Sequence, residues 1–490
     1  MAGYHGDVRM RAFSLCLINQ RAGHVAYDGL SMKKVSWSIP ILVYFVGFMP
    51  LTSMAQDEGD VYSDFPVTLK GYAGNATSSV SYEGAIARHV LHNSLRALAR
   101  EGGAGNPMEA SERMMSYFRS TEAGRSVVAP ASKPGFVIRQ SGIDQLASGW
   151  NLADAAYRGS VPGWPGQKNG VEVLEEMIRK AAATEGGHDP VNGYDYAQLI
   201  SKTVMGAVFY NQAVGNYLEE PVELGRRHER EPGEPDRHYT GLEHIWDQAF
   251  GHFGVPARAL QLEERTIFQL AKGRVEAAQA ADMNRDSMID LLTEMTFAYG
   301  SYSASLDKEG KSTYLRTITQ AFVDGRKLIA EAGGEALGET QHRQLMKYAE
   351  VIKTNWEKVI AEATYKYTGV VYKDLGRIQA AMEKGGDLGP IMRNYAKHWS
   401  EMKGLSMALQ MGGRDVDELG RQLNRLIGFG PVLPGNTRVV GIDHEGNYIQ
   451  AKSQEMDGYM DNMIKVQRSL DEHYDLKVRL KEIGDSVNDL

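Results

Sequence analysis

The chain has 490 residues, 42% hydrophobic and 24% charged, with a net charge of −8. That length holds two or more domains with ordinary hydrophobic cores. The acidic balance and the lack of a basic tract exclude a general nucleic-acid binder, which needs clustered Lys and Arg against phosphate.

In chain order, Met32-Lys33-Lys34 is followed by an apolar run from Ile39 to Met49 and then by Ser53-Met54-Ala55. A basic start, an apolar centre and small residues three and one before a cut form the pattern of a secretory signal peptide. The run is too short for a comfortable membrane span. The pattern predicts cleavage after Ala55 and a mature start at Gln56, with residues 1–31 an upstream extension. Removing residues 1–55 takes away five Lys/Arg and two Asp/Glu, so the charge of −8 becomes −11. It also removes Cys16, the only cysteine. A mature chain without a thiol has no disulfide, no zinc–thiolate site, no cysteine nucleophile and no cysteine for lipid attachment. The expectation is an exported bacterial protein, periplasmic or secreted, with no membrane span in the mature chain.

Residues 56–81 read as an extended arm. Helical periodicity begins at Ser81–Glu83 and stops at Gly102-Gly103, and a second helix covers 107–120. The Gly/Pro/Ser-rich stretch 121–169, with Trp150 and Trp164, reads as a long ordered loop holding one short helix near 142–157. The two tryptophans fit a sugar-stacking platform or, more plainly, loop anchors. Helices resume at 170–185 and over 194–218. A polar, proline-rich surface loop follows at 219–237.

Tyr239 to Gly254 then forms a short helix. At about 100° per residue, Leu242, Trp246, Ala249, Phe250 and Phe253 share one apolar stripe, with Glu243, His244 and Asp247 on its flank. Further helical patterns occupy 257–280, from the Asp/Asn-rich segment 282–290 through Tyr302, and then 308–333, 338–366, 370–385, 388–411, 414–427 and 451–483. Thr437–Ile442 and Asn447–Ile449 make a small hairpin over Asp443-His-Glu-Gly446. The fold class is all-α: a multi-helix bundle, read as two packed bundles over 82–280 and 281–485.

Three segments carry chemistry. Asp282, Asn284, Asp286, Met288 (through its carbonyl) and Asp290 occupy positions 1, 3, 5, 7 and 9 of a calcium-type loop, with apolar Ile289 at position 8 and Glu294 closing from position 13. Alternate residues of a tight loop point inward, so their oxygens converge on one hard cation. Position 6 is Ser287 where glycine is usual, and position 12 is Thr293. The competing reading is a helix N-terminus capped by Asp and Asn. The second segment is His398-Trp-Ser-Glu401. His398 shares a stripe with Ile391, Tyr395, Met402, Leu405 and Leu409, and Glu401 lies one turn on. Such a pair ligates an ion in some bundles. As a lone pair it is more simply a core histidine bonded to Tyr395 or a carbonyl. The third is Glu243, His244 and Asp247. Facing His398 and Glu401, it would assemble a His/carboxylate site for iron, manganese or zinc. Alternatively Glu243 and Asp247 pair with arginines such as Arg88 or Arg258. No His-Glu-x-x-His, nucleophile elbow, phosphate loop or dinucleotide fingerprint is present.

The run Tyr239-Thr-Gly-Leu-Glu-His-Ile-Trp-Asp-Gln-Ala-Phe-Gly-His-Phe-Gly254 resembles the signature of an uncharacterised exported bacterial family, domain-of-unknown-function family 4856. Ser81–Arg88, Leu199–Tyr210, Asp282–Asp290 and His398–Glu401 are similar to it too, over about 56–485. Gln248 stands where the resemblance implies Glu, and Ser287 where it implies Gly. A more distant similarity is to imelysin-type periplasmic proteins, helical bundles linked to iron uptake. Their Gly-x-His-x-x-Glu marker is offset here as Gly241-x-x-His244-x-x-Asp247.

The resulting expectation is an exported, non-catalytic metal-binding helical protein. Ca2+ would staple the 282–294 loop, Fe, Mn or Zn would sit at the His/carboxylate residues, and iron acquisition with an envelope or outer-membrane uptake partner would be the setting. The alternatives are a metal-dependent hydrolase or peptidase-like protein, and a cell-envelope interaction protein with calcium as a staple.

Overall fold

The computed structural model describes residues 61–219, 237–412 and 416–476. The leader-like segment 32–55, residues 1–31, most of the proline-rich stretch 219–237 and the end of the final predicted helix lie outside the described residues. Among the described residues are thirteen α-helices, one π-helix and two small antiparallel hairpins. The all-α expectation holds. No described helix is long and apolar enough to cross a membrane.

Helices α1 (Glu83–Ala99), α2 (Pro107–Arg119) and α3 (Gly170–Ala182) come first. Each of the last two starts on an asparagine whose side chain accepts backbone N–H groups of the first turn, and Pro107 at the start of α2 gives up no needed donor. The segment 120–169 is ordered loop, with one short 3-10 turn at Ile143–Gln145 instead of the predicted helix near 142–157. Its tryptophans are anchors. Trp164 is buried and donates from Nε1 to Glu176, and Trp150 lies under the Arg88 guanidinium, 4.4 Å away.

Strands β1 (His188–Asp189) and β2 (Tyr194–Asp195) lead into α4 (Tyr196–Val204). From Met205 to Tyr217 the same helix widens into a π-helix. Backbone bonds then run i to i+5, a geometry rare beyond a single turn. Its small residues meet α11 (Gly389–Ala408) and the segment after it. A Cβ on Gly206 would stand 2.5 Å from the Ala408 Cα, and Gly215 faces the Gly412 carbonyl.

Helix α5 (Gly241–Phe253) is the predicted aromatic helix, ended by Gly254 in the left-handed conformation. It is followed by α6 (Glu264–Ala271), α7 (Val275–Ala281), α8 (Ala298–Asp307), α9 (Tyr314–Glu331) and α10 (Glu339–Glu383). The predicted 257–280 helix is therefore two helices broken at Gly273, whose φ is +67°. Conversely, the two helices predicted at 338–366 and 370–385 are one helix of 45 residues. Glycine at 369 weakens a helix by about 1 kcal/mol, but α9, α11 and α13 flank α10 along its length and hold it continuous. The chain closes with α11, α12 (Asp417–Ile427), the predicted hairpin β3 (Thr437–Ile442) and β4 (Tyr448–Lys452), and α13 (Met456–Tyr474).

The five stripe residues of α5 are all buried. Burial of each large aromatic ring contributes about 1.5–3 kcal/mol. Phe250 stacks on Tyr62 of the arm at 3.6 Å between centroids, Trp246 donates from Nε1 to the Phe322 carbonyl at 2.8 Å, and Phe253 meets Trp356 edge-on. A Cβ on Gly325 would stand 2.1 Å from the Trp246 ring, so only glycine lets α9 approach so closely. Helices from 82–280 and 281–485 pack on one another, α4 against α11 and α5 against α9.

Candidate functional site

The acidic flank of α5 is built from the helix start. Thr240 and Glu243 form a reciprocal capping box: Thr240 Oγ1 accepts the Glu243 amide at 3.3 Å and Glu243 Oε2 accepts the Thr240 amide at 2.7 Å. Glu243 Oε1 accepts from Thr68, Ser79 and Arg326 Nη1, the last at 3.0 Å. One turn on, Asp247 accepts from Tyr62 at 3.0 Å, from the Ser81 amide at 3.1 Å and from Arg326 Nε at 2.9 Å. Arg326 also donates to Ser79 and lies over the Phe65 ring. All three ionic side chains are fully buried.

One guanidinium from α9 thus closes two carboxylates of α5 and ties the arm to both helices. Pairing with arginine was one of the two readings of these carboxylates. The partner is Arg326, however. Arg88 instead donates to the Asn151 carbonyl. Burial raises the Asp247 carboxyl to about 6, although Arg326 pulls it back. His244 stacks on Tyr239 at 4.5 Å and is lowered to about 4 by burial and by Arg237. Gln248 explains itself: its amide donates to the Ser81 carbonyl at 3.2 Å, a bond that an ionised Glu could not make.

The 282–294 segment is a turned loop. Arg285 and Ser287 lie in the left-handed region, at φ +59° and +64°. Ser287 therefore adopts the conformation for which glycine is usual. Asp282 accepts the amides of Asp286 at 3.2 Å and Ser287 at 2.8 Å; Asn284 accepts the Asp286 amide, and Asp286 the Met288 amide. Glu294 reaches back to accept the amides of Met283 and Asp290, at 2.7 and 2.8 Å. Ile289 pairs through its backbone with residues 137–139, which fixes the loop against the ordered segment. Arg139 from that segment pairs with Asp286 and lies 3.5 Å from Asp290. The segment is a loop up to 297, and the helix predicted to continue it begins only at Ala298.

His398 is bonded through Nδ1 to Asp374 of α10 at 2.6 Å, and Tyr395 donates to the Val432 carbonyl. The histidine's partner is thus a carboxylate 24 residues upstream, not Tyr395. Glu401 is buried beside Tyr367, with Oε2 lacking a partner. The structure gives the α5 carboxylates to Arg326 and His398 to Asp374. Among the described residues, no three His, Cys, Asp or Glu side chains are gathered as a metal-holding group.

Two groups escaped the sequence reading. Arg326 is one, a lone basic residue in an amphipathic helix. The other is a trio of buried imidazoles, His89, His92 and His252, set around Phe209 at 4.0, 5.4 and 6.1 Å. His89 donates to the Gly251 carbonyl and His252 to that of Gln248. Burial lowers His89 to about 3 and the other two well below their ordinary value. The signal available in the sequence was that His89 and His252 sit on the apolar faces of α1 and α5.

No curated protein and no solved structure matches the chain. A family model described as Domain of unknown function (DUF4856) matches residues 180–382. The match takes in α5, the π-helix and the 282–294 loop, while Ser81–Arg88 and His398–Glu401 fall outside it. Residues 180–382 of the chain are thus similar to the DUF4856 family.

Proposed function

We propose that the protein is an exported, non-catalytic helical scaffold in which the 282–294 loop takes Ca2+ as a structural staple. Export rests on the leader-like pattern of residues 32–55. The calcium reading is supported above all by the left-handed backbone at Arg285 and Ser287, which turns the oxygens of Asp282, Asn284 and Asp286 into the loop. Asp282 and Glu294 each accept two amides, one on each oxygen, and every such oxygen keeps a lone pair for a cation. Asp282, Asn284, Asp286, the Met288 carbonyl, Asp290 and Glu294 would hold the ion at the six to eight oxygens calcium takes, drawn together by the cation, since among the described residues no three of the carboxylates are gathered without it. Asp286 must leave Arg139 to do so, which makes Arg139 the competing cation at the same oxygens.

The fate of the α5 flank supports a non-catalytic reading. Glu243 and Asp247 are ion-paired inside the core, so neither carboxylate is offered to a substrate. The same burial weighs against iron, manganese or zinc at these residues.

Calorimetric titration with CaCl2 tests the reading. Saturable binding and a chelator-reversible rise in melting temperature are expected, both lost in Asp282→Ala/Asp286→Ala. Arg139→Gln should bind calcium more tightly. No heat and no chelator-sensitive shift in the wild type would overturn the proposal.

A further inference from the structure

A cleft of about 300 Å3 opens where the end of α1, the start of α4 and the first turns of α11 meet, lined by Arg100, Asp195, Gln198, Arg393, Asn394 and Lys397. Each helix adds a second polar residue one turn from its lining residue, the spacing that places side chains on one face. Arg96 precedes Arg100, Lys202 follows Gln198, and Glu401 follows Lys397. Arg96 donates to Gln198 at 3.1 Å, which joins the two layers.

The cluster is unbalanced. Arg96, Arg100, Lys202, Arg393 and Lys397 face Asp195 and Glu401, five cations against two carboxylates. Among the described residues, none of the five has a carboxylate within 4 Å. Lys202 is buried, with its ammonium over the Tyr302 ring at 5.2 Å. Burial first, and then the Arg96 charge, lower it to about 7. Arg96 Nε and Glu401 Oε2 are buried without partners. At Arg326, by contrast, two carboxylates answer the buried cation. Here positive charge is left standing in a solvent-open cleft of a chain whose net charge is −8.

We propose that this cleft binds a small phosphate monoester that carries hydroxyl groups. Two guanidinium forks and an ammonium suit a phosphate dianion, since Arg binds such groups bidentately and Lys as a point charge. Asp195 Oδ1 caps α4 by accepting the Gln198 amide at 3.1 Å, and Oδ2 remains to accept a hydroxyl. Asn394 and Gln198 supply amides beside it. The volume lies at the small end of ligand sites, which fits a phosphorylated polyol. The site is independent of the calcium loop.

Calorimetric titration of the full chain with glycerol 3-phosphate, inorganic phosphate and succinate tests this. Glycerol 3-phosphate should bind tighter than phosphate, succinate weakest, and added NaCl should weaken all three. Arg100→Gln and Arg393→Gln should each cost about tenfold in affinity for both phosphates, with circular dichroism unchanged. Asn394→Ala should weaken glycerol 3-phosphate alone. Absence of saturable heat with both phosphates, affinity undiminished in the folded Arg100→Gln/Arg393→Gln variant, or succinate binding as tightly as the phosphates would overturn the proposal.

Discussion

The acidic flank of α5 and the basic cleft between α1, α4 and α11 are both charge clusters on helix faces, and they have opposite fates. On α5, Glu243 and Asp247 meet one arginine and several donors from the arm, and every charge is buried and answered. In the cleft, cations from three helices converge on open space with too few carboxylates. A row of charges along a helix therefore does not mark a site by itself. What marks one is whether the rest of the fold supplies the opposite charge.

The largest expected effect is at Arg326. Arg326→Ala leaves two carboxylates buried without a cation, and breaking a buried pair in this way costs about 3–5 kcal/mol. Chemical denaturation should read that loss directly. Arg393→Gln in the cleft removes a cation that no carboxylate partners, and stability should change by no more than about 0.5 kcal/mol. Equal losses at the two arginines would erase the contrast.

Acid gives the next effect, because it charges groups that neither region compensates. His89, His92 and His252 are neutral in the native core, while unfolded imidazoles titrate near pH 6.5. Their contribution is present above pH 6.5. Below it the unfolded chain takes up protons that the native chain refuses, and each histidine costs about 1.4 kcal/mol per pH unit. Asp247 acts in the opposite sense. Its native carboxyl titrates at about 6, above the unfolded value, so it restores stability as pH falls through that point. His244, also lowered by burial to about 4, acts in the same sense as the three, so four groups against one leave a net loss of about 4 kcal/mol per pH unit between pH 6 and 4. Denaturation midpoints at pH 7, 6 and 5 measure the slope, and His252→Gln should flatten it by about a third.

These effects also show what the sequence carries. The α5 stripe was legible because a 3.6-residue period is local, and so was the turned backbone of 282–294, set by alternating oxygens. Arg326 was not, because its partners lie about 80 residues away and a single arginine in α9 has no pattern. The π-helix keeps the apolar run of an α-helix through Val208, Phe209 and Val214, so periodicity could not reveal its widening. The cleft left only a faint trace. Arg96/Arg100 and Arg393/Lys397 are basic pairs at four-residue spacing, yet only the contact between α1, α4 and α11 shows that they converge.

The smallest expected effect tests whether charge or capping holds the α5 flank in place. Thr240 Oγ1 accepts the Glu243 amide, and Thr240→Ala removes that bond alone. The usual cost of losing such a cap is about 1 kcal/mol. Glu243 would keep its bonds to the Thr240 amide, Thr68, Ser79 and Arg326, because none of them uses the lost hydroxyl. Thr240→Ser retains the hydroxyl and should stay within about 0.5 kcal/mol of the wild type. If Thr240→Ala instead cost as much as Arg326→Ala, the capping box would be what orients Glu243, and the guanidinium would merely follow. The flank would then be a helix start that happens to be acidic, and its contrast with the uncompensated cleft would rest on backbone geometry instead of charge balance.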